Sequence, residues 1–160
     1  MRRSFQEQMI GHHCWGCGTL NDHGLKIKSY WSGQEGQEAV CTWRPAVHFM
    51  AGPKQILNGG IIATVIDCHT VCTAVAAAYL AEERKIGSDP LIWYVTGSLK
   101  VQYFLPTPIN EDVILRAVIE AVAEKKTTLT CSLVSMEKVC ARADVVAVRV
   151  PSSWVEQFDL

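Results

Sequence analysis

Charge is what this sequence has least of. Only 19% of its 160 residues are Asp, Glu, Lys or Arg, and the two signs nearly cancel to a formal net charge of −1. Without a basic stripe or an acidic tail there is no field for nucleic acid or an anionic membrane surface to answer, so neither is expected as a partner. Internal repeats, low-complexity runs and linkers are also missing. Residues 1–160 therefore read as a single domain, long enough to bury a core and too short for two. The opening Met-Arg-Arg runs into Ser-Phe-Gln-Glu-Gln rather than an apolar stretch, so no secretory leader is expected. Seven cysteines, an odd number without a leader, read as free thiols in a reducing cytoplasm rather than a disulfide framework.

Acidic residues are scarcest in the middle of the chain. Between Glu38 and Glu82 there is one, Asp67. It lies in an almost wholly apolar run from Gly60 to Leu80 that reads as a long helix greasy on every side, and such a helix has to be wrapped by something. The run is about as long as a membrane span, but Asp67, His69 and several threonines interrupt it, so it reads as a buried core helix. Asn58 is a strong N-cap, able to accept from the free amides of the first turn. Gly59 and Gly60 follow it and bring bare backbone N–H donors to the helix mouth. A lone carboxylate on a wrapped helix is expensive to keep unless it does something, which makes Asp67 the leading candidate for chemistry.

Strands flank the helix. Leu25–Trp31 alternates at period two and Glu38–Arg44 returns across a Gly33–Gly36 turn, a hairpin that Pro45 stops. After the helix come Ile92–Leu105, Asp112–Ala123, Thr127–Met136 and Ala141–Val150, rich in β-branched residues. The order β-β-α-β-β-β-β, with strands pairing mostly with their neighbours, predicts an α+β domain: a curved antiparallel sheet around one central helix. Near the start, Cys14-Trp15-Gly16-Cys17 lies among His12, His13 and His23. A structural zinc site commonly shows two such cysteine pairs, and this stretch supplies one, so no bound metal is expected. Cys68 and Cys72, four apart on the helix, read as small core residues.

Three stretches together resemble the hotdog-fold thioesterases of the phenylacetate-pathway and 4-hydroxybenzoyl-CoA thioesterase-like group. One is Asn58-Gly59-Gly60 with Asp67, against a family pattern of His-Gly-Gly and an acid nine residues after the His. The second is Cys14-Trp15-Gly16-Cys17-Gly18 with Asn21 and Gly24-Leu25. The third is Thr96-Gly97-Ser98-Leu99-Lys100-Val101 running to Tyr103 and Pro106-Thr107-Pro108. The departure is Asn58 for the histidine, and an Asn can still cap the helix.

The resemblance implies a hotdog fold and hydrolysis of an acyl-CoA thioester without a cofactor. Asp67 would serve as general base or as nucleophile. Amides at the helix mouth, Gly60 first and then Gly59 or Ile61, would polarise the carbonyl at the positive end of the helix dipole, with Asn58 beside them. Thr96 would orient the water. Gly59 and Asp67 are eight residues apart, about 12 Å along a helix, so one chain cannot aim both at one carbonyl. The family answer is a homodimer with a shared site, extending to a dimer of dimers. Two other readings stand beside it: a non-catalytic acyl-thioester binding module, and a 3-hydroxyacyl dehydratase or hydratase, for which His48 or His69 would have to serve.

Overall fold

The computed structural model describes residues 2–157; Met1 and residues 158–160, the outer ends of the single-domain assignment, lie outside it. A short helix α1 (Phe5–Gln8) opens the chain, capped by Ser4 and Glu7 reciprocally. Strands β1 (Tyr30–Trp31) and β2 (Glu38–Trp43) precede the long helix α2 (Gly59–Ala81). Then follow β3 (Tyr94–Tyr103), β4 (Val113–Val122), β5 (Lys126–Ser135), β6 (Lys138–Arg149) and a short α3 (Ser152–Gln157). All six strands form one antiparallel sheet in the order β1-β2-β4-β5-β6-β3.

The sheet curls round α2. Val65, Ile66 and Val75 of the helix meet Leu115, Leu129, Leu133 and Val145 of the sheet, each no more than 1% exposed. Each such side chain contributes roughly 1.5–3 kcal/mol of burial. The helix is long and apolar enough to cross a membrane, with a mean hydropathy of 1.7, yet 67% of that stretch is buried inside this domain. The hydroxyls of Thr70 and Thr73 return to the carbonyls of Ile66 and His69, which lets polar residues sit in the buried face.

Two features differ from the sequence expectation. The first hairpin is shorter: of Leu25–Trp31 only Tyr30 and Trp31 pair with β2. Lys26 turns to a positive φ of 55°, and the backbone of this stretch is satisfied elsewhere. Leu25 N–H donates to Trp15 O, Leu25 O accepts from the Trp43 indole, and Ser29 N–H donates to the Gln6 side chain. The other difference is β3, which pairs with β6 and not with β4, so it closes the far side of the sheet as an edge strand. Its outer edge pairs with no strand among the described residues; Val95 and Tyr103 on it and Phe104 and Leu105 just past its end are exposed.

Candidate active site

At the mouth of α2 the expected cap is formed. Asn58 Oδ1 accepts from the amides of Gly60 at 2.7 Å and Ile61 at 3.3 Å. The cap therefore engages two of the three amides expected to act as donors. The amide of Gly59 is not one that Asn58 holds, while its carbonyl accepts from the Tyr103 hydroxyl at 2.7 Å.

Two turns further on, Asp67 is half-buried and faces β3. Neither nearby threonine satisfies its carboxylate: Thr64 donates to Gly60 O, and Thr70 to backbone carbonyls. Thr96 does, with its hydroxyl donating to Asp67 Oδ1 at 2.6 Å. A bulge aims it. Thr96 is in register with Ala147 and Ser98 with Val146, which leaves Gly97 as the extra residue. A Cβ on Gly97 would come within 2.6 Å of Val148, so the bulge fits only glycine without movement. Burial raises the Asp67 carboxyl above its ordinary value, the Thr96 hydrogen bond pulls it back, and the Cys14 sulfur raises it again.

Asp67 and Thr96 lie on the wall of a cleft of about 440 Å³ whose lining is mostly apolar, with Val71, Val75, Trp93 and Tyr94 among its residues. Asn58, Gly59, Gly60 and Ile61 do not line it. The chain thus unites the acid with its threonine and keeps both away from the helix mouth, as the 12 Å estimate along the axis requires.

The other wall of the cleft is the N-terminal segment, a neighbour that was not anticipated for the acid. His12, His13, Cys14 and Cys17 face it, together with Cys68 and Cys72 of α2. Cys14 Sγ lies 3.6 Å from Cys68 Sγ, Cys17 Sγ 3.8 Å from Cys72 Sγ, and His12 Nε2 3.1 Å from Cys17 Sγ. Hydrogen bonds from Cys17 and Cys68 hold the Cys14 thiol well below the usual range, helped by the backbone amides of Cys17 and Gly16. Burial pushes His12 down, toward the neutral ring. The signal for this cluster was present in the four-residue spacing of Cys68 and Cys72, which puts both on one helix face.

His69 and His48 take no part. His69 is fully buried, with Nδ1 against the Ser29 hydroxyl at 2.8 Å and Nε2 against Ala39 O at 3.2 Å. His48 is exposed in a 3-10 turn over Val47–Phe49, its ring tilted against Phe49 with centroids 4.2 Å apart, and does not line the cleft.

Solved structures with this architecture include proteins named as thioesterases. A thioesterase superfamily protein from Shewanella loihica is 28% identical, with 82% of this chain and 96% of that one covered at a TM-score of 0.61. The Escherichia coli PaaI protein, from the phenylacetic acid degradation operon, is 16% identical over 79% of this chain and 81% of its own, at 0.64. A thioesterase from Haemophilus influenzae is 13% identical over 80% of each chain, also at 0.64. No family model matches the chain, and no curated relative does. The sheet order, the wrapped helix and these likenesses agree: the chain has the hotdog fold of the thioesterase superfamily.

Proposed function

We propose that this protein hydrolyses an acyl-CoA thioester, with Asp67 as the catalytic carboxylate. The observation that carries the reading is the acid itself: half-buried on an apolar cleft, bonded by one hydroxyl at 2.6 Å, and raised by burial. A carboxylate in that condition is more basic than one in water and keeps a second oxygen for a water molecule or an acyl carbon. Thr96 fixes its orientation. The apolar walls take the acyl group.

Polarising the carbonyl falls to the helix mouth. With Asn58 Oδ1 engaged by Gly60 and Ile61, the donors left over are the Gly59 amide and the carboxamide N–H2 of Asn58 itself. Both sit at the positive end of the α2 dipole, where a developing oxyanion is stabilised. Asn58 thus stands in for the family histidine as cap and as donor. Because that mouth lies about 12 Å from Asp67 along the axis, the site is assembled from two chains. The free edge of β3, with exposed Val95 and Tyr103 on it and Phe104 and Leu105 just past its end, supplies the seam, and a pair of such dimers is the larger assembly.

The binding-module reading leaves Asp67 with no task. The dehydratase reading loses the two histidines assigned to it, since both ring nitrogens of His69 are occupied and His48 is away from the cleft. The test is a screen of short, long and aromatic acyl-CoAs for release of free thiol. It is followed by mixing an Asp67→Asn chain with a Gly59→Trp chain. Each parent should be inactive and the heterodimer should regain one working site. Active monomers in light scattering, or no rescue among dimers shown to be mixed, would discard the shared site.

A further inference from the structure

We propose that Cys14, Cys17, Cys68 and Cys72 form a thiolate site for a zinc-class metal ion, which ties the N-terminal segment to the central helix beside Asp67. The expectation of a metal-free turn rested on one visible cysteine pair. The fold brings up a second: Cys68 and Cys72, one turn apart on α2, face Cys14 and Cys17 across the cleft wall.

Two sulfur–sulfur distances already suit an ion. Tetrahedral thiolate coordination with metal–sulfur bonds of about 2.3 Å sets the sulfurs about 3.8 Å apart. Here Cys14 and Cys68 are at 3.6 Å and Cys17 and Cys72 at 3.8 Å. The sulfurs of Cys14, Cys17 and Cys68 all lie within 4.8 Å of one another, and Cys17 joins Cys72 and His12 in a second such group. His12 Nε2, 3.1 Å from Cys17 Sγ, is placed to donate to that ligand from outside, the kind of support that metal ligands generally receive.

The backbone is shaped to the same end. The turn closes by a hydrogen bond of 2.7 Å from Gly18 N–H to Cys14 O. Gly16 is pressed so near α2 that a Cβ there would stand 2.3 Å from Cys68 Sγ. At Gly18 a Cβ would stand 2.5 Å from Cys14 N. Both glycines therefore allow the turn to bring its two sulfurs down on the two from the helix. Packing alone would not need two thiol-bearing groups that share Cys17, and a small inward shift of the turn would bring the four sulfurs round one ion. All-sulfur ligation selects zinc and other thiophilic ions over magnesium or calcium. Binding would displace the thiol protons and form four metal–sulfur bonds, with no change of oxidation state.

The experiment is metal analysis of the full chain purified without chelator, followed by replacement with cobalt(II), whose spectrum reports tetrahedral thiolate ligation. About one zinc per chain is expected, with thiolate-to-cobalt bands. Cys14→Ser should abolish both. Cys14 reaches solvent on a loop, so this variant tests binding without emptying the core. Cys140→Ala, a buried cysteine of β6 outside the cluster, should bind as the parent does. Zinc below about a tenth of an equivalent, with all four thiols free to react and no cobalt spectrum, would overturn the site. So would a Cys14–Cys68 disulfide in protein purified under reducing conditions, or full zinc retention in Cys14→Ser.

Discussion

Asp67 and His69 stand two residues apart on α2, a rotation of about 200°, so they leave the helix on opposite sides. His69 enters the packed side, is 0% exposed, and finds a partner for each ring nitrogen. Its partner Ser29 is held in turn by Gln6, through side chain and backbone. Asp67 enters the cleft, is only half-buried, and has one hydrogen bond for a group that can accept several. Burial shifts both toward their neutral forms: His69 down to about 4, Asp67 upward. What separates them is completeness. A closed network marks a residue that holds the fold, and an open one beside a cavity marks a residue with something left to bind.

The strongest way to break this contrast is to substitute each residue and read both activity and stability. Asp67→Asn keeps the shape and the Thr96 partner but removes the base. Hydrolysis should fall by two to four orders of magnitude, the range for general-base catalysis, while the midpoint of thermal unfolding holds or rises. Near-parental turnover in the purified variant would remove Asp67 from the mechanism. His69→Ala should do the reverse. It opens a cavity and leaves the Ser29 hydroxyl and the Ala39 carbonyl without their partner, for about 3 kcal/mol of lost stability. Denaturant unfolding measures that loss. The fraction still folded should turn over at nearly the parental rate.

Thr96→Val sharpens the comparison from the cleft side. The hydroxyl bond to Asp67 favours the ionised carboxylate, so deleting it raises the carboxyl further. The acid limb of the rate profile should move to higher pH, with about a tenfold loss at neutral pH from poorer orientation. A profile that keeps its acid limb would mean that Thr96 is only a strand residue.

The sequence made the helix legible because apolarity on every side admits few other structures, and Asp67 stood out as the one acid within it. The strands from Tyr94 onward were legible from their β-branched runs, with bounds off by one to three residues. The turn between β5 and β6 was not. Met136 and Glu137 both take positive φ, 48° and 61°, with no glycine or asparagine to announce a tight hairpin. Residues 25–29 alternate like a strand yet bond to side chains and to the N-terminal segment. The bulge at Gly97 depends on a partner strand fifty residues away. The thiol cluster was hidden for a similar reason: its two halves are 54 and 55 residues apart, and only the fold adds them.

The smallest effect is the pH dependence that His69 imposes on stability. In the folded chain its pKa is lowered from 6.5 to about 4, mainly by burial, so between those values the unfolded chain binds a proton that the folded one refuses. Stability from this group is therefore complete above pH 6.5 and is lost as pH falls toward 4. Between pH 7 and 5.5 the loss amounts to about 1 kcal/mol for one such site. Asp67 acts with the opposite sign, since a carboxyl raised by burial takes up its proton more readily when folded and offsets part of the loss at lower pH. Comparing the parent with His69→Gln at each pH separates the two. The variant is less stable throughout, but the slope between pH 7 and 5.5 should fall by the His69 share, leaving only what His12 and Asp67 contribute. A slope that persists unchanged would mean that His69 is charged inside the fold, and that its network is not the closed one its hydrogen bonds describe.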